Sequence, residues 1–280
     1  MRVIVLAAGQ GTRLRPYTND RPKCMVALAG KPLLHRQLDV IKACGVKVSD
    51  IALVGGYLKD QLNAPGVNLF VNERFAETNM VSTMFCAESF MASGEDLLIC
   101  YGDIVYEPRV LKALLQTEGE IALAADQKWR RLWSLRMEDP LADAETFKIK
   151  SGRVVELGKK PNNYDEVQAQ YMGLIRVRAD KVQEFIDFYY KLDRSAIYDG
   201  KDLDNMYMTS LLQALIDADW DVRPALVDNG WLEVDTASEL ELYNAMQKQE
   251  TLKSYIALVS KNCWTRFIDA EMTPYMPPEH

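Results

Sequence analysis

The segment Arg2–Ala8 constrains this chain more than any other. It is short, continuously apolar and rich in β-branched residues, and it runs straight into Gly9-Gln10-Gly11. A strand without polar alternation needs apolar cover on both faces, which places it inside a parallel sheet flanked by helices. The rest of the first half agrees. Pro32–Cys44 carries Leu33, Leu34, Leu38 and Ile41 at helical spacing, with Pro32 suited to a first turn and Gly45 to the stop. Ile51–Val54, Val67–Val71 and Leu97–Tyr101 read as strands and Asn79–Ala92 as a helix. Strand and helix alternate, and ligands of such sheets bind beyond the carboxyl ends of the strands.

After about residue 120 the pattern becomes mixed. Ile121–Ala125, Phe147–Ile149, Val154–Glu156, Gln170–Val177, Val222–Val227 and Trp231–Val234 read as strands. Val182–Leu192, Met206–Ala218 and Ala237–Gln249 read as helices, and Gln127–Glu145 as an inserted loop. The expected fold is α/β, with a mostly parallel mixed central sheet flanked by helices. From Thr251 onward, Trp264, Phe267, Tyr275 and a Pro-Pro pair make the chain too apolar for a free tail. That segment is expected to pack on the body or on a second subunit, which would make a homodimer.

Bulk properties exclude several classes. A net charge of −7 gives no general attraction to a nucleic-acid backbone or an anionic membrane surface. The chain holds 5 cysteines with no Cys-x-x-Cys pair, which suits a reducing compartment. With only His35 and His280 present, a histidine zinc site and a Ser-His-Asp triad are excluded. No apolar run reaches the roughly 18 residues of a membrane span, and the opening apolar run is too short for a signal peptide. A cytoplasmic location is expected.

The chemistry concentrates after the first strand. In Leu6-Ala7-Ala8-Gly9-Gln10-Gly11-Thr12-Arg13-Leu14 the glycines let backbone approach a phosphate, and a turn there aims N–H groups at one anion. Leu14 stands where a dinucleotide fingerprint needs its third glycine, and no Gly-Lys-Ser/Thr follows as in a Walker A loop. Arg13, Arg15, Arg21 and Lys23 make the segment basic within an acidic chain.

These residues, with Pro16, Pro22-Lys23-Cys24-Met25-Val26 and Gly30-Lys31-Pro32-Leu33, resemble the signature of the sugar-nucleotidyltransferase superfamily. Further landmarks are Val54-Gly55-Gly56-Tyr57, Tyr101-Gly102-Asp103, Gly158-Lys159-Lys160-Pro161, Gly173 and Trp231–Thr236. The resemblance covers roughly residues 1–245 and implies a single nucleotide-diphospho-sugar transferase-like domain, leaving 246–280 as a helical extension. It implies attack by a phosphate or phosphonate oxygen on the α-phosphorus of a nucleoside triphosphate, with pyrophosphate leaving. An already ionised nucleophile requires no general base, so alignment and charge neutralisation carry catalysis.

By the same resemblance Arg13 steadies the leaving pyrophosphate, Lys23 contacts phosphate near the reacting centre, and Lys160 or its neighbour Lys159 meets the acceptor phosphate. Asp103 and Asp235 are expected to hold Mg²⁺, with Glu233 on the same strand face as a rival to Asp235. Leu6, Ala7, Ala8, Gly9, Gly11, Thr12, Gly56, Asn79, Ser82 and Gly102 are the implied nucleotide contacts.

Glu77–Phe85 departs from the sugar-specific branches and resembles cytidylyltransferases of small phosphorylated and phosphonate metabolites, so CTP is the expected nucleotide. Asn79 either caps a helix or reads cytosine. The loop Asp126–Glu145 points to acceptors such as phosphorylated glutamine amide or amino- and hydroxyethyl-phosphonates, used in capsule or surface-glycan synthesis. Choline phosphate ranks second and a hexose 1-phosphate third. Trp129 and Trp133 share a helical face, either as a lid or as anchors to the core. Arg136 either grips the acceptor or bridges to Asp143 or Glu145. Tyr171, Asp202 and Asp204 are candidates for an acceptor amine. A non-catalytic regulatory homologue is the outside alternative, opposed by the presence of Arg13, Lys23, Asp103 and Asp235.

Overall fold

The computed structural model describes residues 1–258. The apolar opening segment forms the strand Arg2–Ala7, flanked by parallel partners Ile51–Gly55 and Leu97–Tyr101. Its side chains alternate between two cores: Val3, Val5 and Ala7 enter one, Ile4 and Leu6 the other. The central sheet has 7 strands among the described residues. Their order is Val222–Val227, Ile121–Asp126, Gln170–Val177, Leu97–Tyr101, Arg2–Ala7, Ile51–Gly55, Asn68–Val71. Gln170–Val177 runs antiparallel to both of its neighbours, and the other pairings are parallel. The sheet is therefore mixed and mostly parallel, as expected.

Register decides where the loops emerge. Ala7 pairs with Gly55 and Leu6 with Tyr101, so Ala8–Leu14, Gly56 and Gly102-Asp103 leave the sheet at one edge. Leu174 pairs with Cys100, so the start of the antiparallel strand, Gln170–Gly173, arrives at that same edge. A register shift between Tyr171 and Ile175 interrupts its pairing with Ile121–Asp126 there.

A short antiparallel pair, Ile104–Tyr106 with Trp231–Glu233, matters most for the site. It matches Glu233 to Ile104, and Val234 N–H donates to Asp103 O at 3.0 Å. Two acidic residues far apart in sequence, Asp103 and Asp235, are thereby carried to one place.

Most expected elements fall within a residue or two of their observed bounds. The expected helix over 79–92 is two pieces, Met80–Phe85 and Glu88–Met91. The expected loop Gln127–Glu145 contains the helix Trp129–Arg136. The strand Ile104–Tyr106 and helix Pro108–Gln116 add to the expected elements. The helix Ala237–Lys248 runs across residue 245, and Leu252 and Ile256 are buried beyond it. Trp264, Phe267 and Tyr275 lie outside the described residues. Among the described residues no helix is long and apolar enough to cross a membrane.

Candidate active site

The glycine turn forms one wall of a cleft of about 270 Å³. Gly11 has φ +61°, and a Cβ built on it would lie 2.9 Å from the Cβ of Lys23. The turn therefore lies against the segment that presents Lys23, and Thr18 Oγ1 donates to Gly11 O at 2.8 Å to hold it. From below, Tyr57 N–H donates to Ala8 O at 3.1 Å. The opposite wall comprises Phe75, Thr78, Asn79 and Met80, and the floor is Tyr101–Asp103. Gly102 admits no side chain, because a Cβ there would meet Leu6 O at 2.3 Å.

At the cleft floor the Lys23 ammonium donates to Asp103 Oδ2 at 2.6 Å and to Asp235 Oδ1 at 2.8 Å. Arg13, largely exposed, pairs with the other oxygen of Asp235. Burial pushes the Lys23 ammonium toward the neutral form, but Asp103, Asp235 and Glu233 outweigh it and hold its pKa above the ordinary lysine value. Burial raises the Glu233 carboxyl, against the pull of Arg136.

Asp103 Oδ1 is buried without a hydrogen-bond partner. An acceptor oxygen left bare beside a second carboxylate suits a cation. Among the described residues no group of three or more His, Cys, Asp or Glu side chains could form an all-protein metal cage. Two carboxylates fit a hard divalent ion that keeps water and ligand phosphate oxygens.

A second cavity of about 200 Å³ adjoins the first and shares Arg13, Met80, Tyr101 and Asp235 with it. Trp133, Tyr171, Asp143, Glu145, Gln170 and Tyr207 are among its walls. Gly173 has φ +78°, and a Cβ on it would meet the Tyr101 ring at 2.5 Å, so this glycine lets strand and ring close on each other.

Most residues singled out from sequence converge here. Leu6, Ala7, Ala8, Gly9, Gly11, Thr12, Arg13, Lys23, Asn79, Gly102, Asp103 and Asp235 line the first cavity, and Trp133 and Tyr171 line the second. Asn79 Oδ1 accepts from Met80 N–H at 2.8 Å, so it caps its helix while facing the cleft.

Others are turned elsewhere. Gly56 lies beneath the glycine turn, where a Cβ would meet Phe75 at 2.6 Å. The Ser82 hydroxyl donates to Asp204 O at 2.8 Å. Trp129 is buried and donates from its indole to Val167 O at 3.0 Å, which is the anchoring role. Arg136 meets neither Asp143 nor Glu145; it pairs with Glu233 at 2.8 Å and Glu239 at 2.7 Å. Glu239 in turn accepts from Asp235 N–H at 2.8 Å and completes the capping box of Ala237–Lys248. Arg136 thus stands behind Asp235. Lys160 reaches the carbonyls of Leu141, at 2.6 Å, and Ala142, outside both cavities. Asp202 caps the turn Leu203–Asn205, and Asp204 pairs with Arg74 at 2.9 Å.

Sequence reasoning missed Phe75, Thr78 and Thr83 in the first cavity and Gln170 and Tyr207 in the second. Asp143 and Glu145 appeared only as partners for Arg136. Asp143 has no basic residue at helical spacing, and the one at that spacing from Glu145, Lys148, pairs with Glu156 and Glu166 instead.

Comparison with known proteins agrees with this geometry. Residues 3–163 match the MobA-like NTP transferase domain. The chain is 43% identical over 251 residues to CTP:phosphoglutamine cytidylyltransferase of Campylobacter jejuni, covering 86% of this chain and 98% of that one. It is 37% identical over 97 residues to choline-phosphate cytidylyltransferase of Streptococcus pneumoniae, covering 33% of this chain and 42% of that one. The solved inositol-1-phosphate CTP transferase of T. maritima superposes with a TM-score of 0.64 at 23% identity, over 91% of this chain and 97% of that one, a likeness of fold. A glycine turn facing paired carboxylates, a matching domain over more than half the chain and a relative similar along most of its length lead to one conclusion: this chain belongs to the MobA-like NTP transferase family, is a nucleotidyltransferase, and groups with the cytidylyltransferases.

Proposed function

We propose that this chain transfers CMP from CTP to a small phosphorylated metabolite bearing a cationic nitrogen, a phosphoglutamine-type acceptor first, releasing pyrophosphate. One observation carries the reading: on the floor of the first cavity Lys23 bridges Asp103 to Asp235, and Asp235 also lines the second. One cavity has the size and backbone lining for a nucleotide, and the other takes the acceptor. The similarity to the phosphoglutamine and choline-phosphate enzymes supports both CTP and the acceptor class.

The residues divide the work by position. The Gly9–Thr12 turn receives phosphates through backbone N–H groups. Arg13, exposed above Asp235, is placed to take the charge that builds on the departing pyrophosphate. Lys23 keeps its proton and supplies a fixed positive charge beside the reacting phosphorus. Asp103 and Asp235 would hold Mg²⁺, which supplies charge neutralisation and alignment at the α-phosphate. The acceptor oxygen is already ionised at neutral pH, so its orientation in the second cavity is what the protein provides. Phe75, Thr78 and Asn79 line the cleft across from the glycine turn and would receive the pyrimidine ring, for which the amide of Asn79 has both donor and acceptor. A cytoplasmic setting, with access to CTP, and a role in capsule, surface-glycan or phosphonate synthesis complete the proposal.

The test is a matrix of the four ribonucleoside triphosphates against phosphoglutamine, aminoalkyl phosphonates, choline phosphate and hexose 1-phosphates. Pyrophosphate release is read with and without Mg²⁺. Metal-dependent release with CTP and an amine-bearing acceptor is expected. Silence across the panel would favour a non-catalytic homologue, and turnover of hexose 1-phosphates alone would overturn the acceptor assignment.

A further inference from the structure

The walls of the second cavity carry an unbalanced charge. Glu233 is neutralised by Arg136, and Asp235 by Lys23 and Arg13. Asp143 and Glu145 have no basic partner among the described residues, yet both line the cavity. Glu145 is not a surface acid free to find a lysine elsewhere. The loop that carries it is tied down by Lys160, which grips the carbonyls of Leu141 and Ala142. It is also tied by Thr146 N–H, which donates to Lys159 O at 2.7 Å. The backbone N–H of Glu145 donates to Gln170 Oε1 at 3.4 Å. Burial and then Asp143 raise its carboxyl, and its charge in turn reaches the hydroxyls of Tyr101 and Tyr171 on the same cavity.

An independent observation lies on the same cavity. Trp133 is 3% exposed, lines the cavity, and its indole N–H is buried without a partner. Buried donors are almost always satisfied, so one left bare beside a cavity calls for a ligand oxygen. An unpaired acid and an unpaired donor together complement a zwitterionic head group.

We propose that Glu145 selects the acceptor by receiving its primary ammonium group, with the Trp133 N–H taking a carboxylate oxygen of the same amino-acid head. This rests on the cytidylyl-transfer reading and narrows it, since it favours a phosphorylated α-amino acid over choline phosphate. A quaternary ammonium has no N–H to donate to Glu145.

The experiment compares the full chain and its Glu145→Gln and Glu145→Asp variants, with CTP and Mg²⁺, on phosphoglutamine and on its analogue lacking the α-amino group. The unaltered enzyme is expected to prefer phosphoglutamine by about 30-fold or more in kcat/KM. Glu145→Gln should erase that preference by raising KM for phosphoglutamine, with KM for CTP within about twofold, and Glu145→Asp should restore part of it. Unchanged KM for CTP also shows that the variant is folded. Retention of the full preference by Glu145→Gln would overturn this inference and leave the parent reading standing. Failure of the unaltered enzyme to use either acceptor would overturn this inference, and silence across the wider acceptor panel as well would overturn the parent reading.

Discussion

The Lys23 ammonium lies 2.6 Å from the carboxylate of Asp103, a residue 80 positions away in sequence. That contact takes one carboxylate oxygen and leaves the other bare and buried. Asp103→Asn keeps the size and hydrogen-bonding reach of the side chain but removes the charge. Turnover is expected to fall by about 100-fold or more, with thermal unfolding little changed. Near-normal turnover in the folded variant would remove Asp103 from the reacting centre.

Lys23→Met leaves Asp103 and Asp235 facing each other without their shared cation. A stability loss of about 3 kcal/mol is expected in urea unfolding. Millimolar Mg²⁺ should recover part of it, because an ion that binds only the folded chain stabilises it. A variant indifferent to Mg²⁺ would argue against a metal between those acids.

Arg136 is buried between Glu233 and Glu239, so Arg136→Met strands two carboxylates. The expected cost is about 3 kcal/mol or more. Because Glu239 holds the backbone N–H of Asp235, turnover should also drop. A stable, fully active variant would show that this bridge does not position Asp235.

Gly102→Ala pushes a methyl into Leu6 O, a backbone atom that cannot rotate away. A loss of about 2–3 kcal/mol is expected by denaturant unfolding. A neutral result would mean that the two strand ends separate more easily than their pairing suggests.

Asp126 is buried and accepts from Lys128 N–H at 2.8 Å, Asn229 N–H at 2.9 Å and the Trp231 indole at 3.0 Å. Burial nonetheless raises its carboxyl pKa above the ordinary value. The folded chain then holds this proton to higher pH than the unfolded chain does. Its stabilising contribution is therefore present below about pH 4 and lost as pH rises through the folded value. Relative to Asp126→Asn, the unaltered chain should lose stability as pH rises above about 4, measured by urea unfolding of both. An opposite slope would refute this.

The parts of the site readable in the sequence are those set by backbone. Gly9, Gly11 and Gly102 announce close approach, and a buried strand leading into them fixes where they stand. Asp103 follows directly from Gly102. Side chains placed by long-range packing were not readable. Arg136 has acids nearby at Asp143 and Glu145, yet its partners Glu233 and Glu239 come from a strand and helix about a hundred residues later. Lys160 and Ser82 sit in the right segments but turn toward backbone carbonyls. Phe75 and Thr83 reach the cleft only because their loop and helix fold over the sheet edge.

The antiparallel strand Gln170–Val177, with its shifted register after Tyr171, separates two kinds of construction. On one side, backbone is packed on backbone, and most exchanges would break the grip on the nucleotide. On the other, a bulged strand and a pinned loop present side chains that can be swapped singly. On the proposed reading, such a scaffold takes new acceptor metabolites through changes on one rim, while its energy source stays the same.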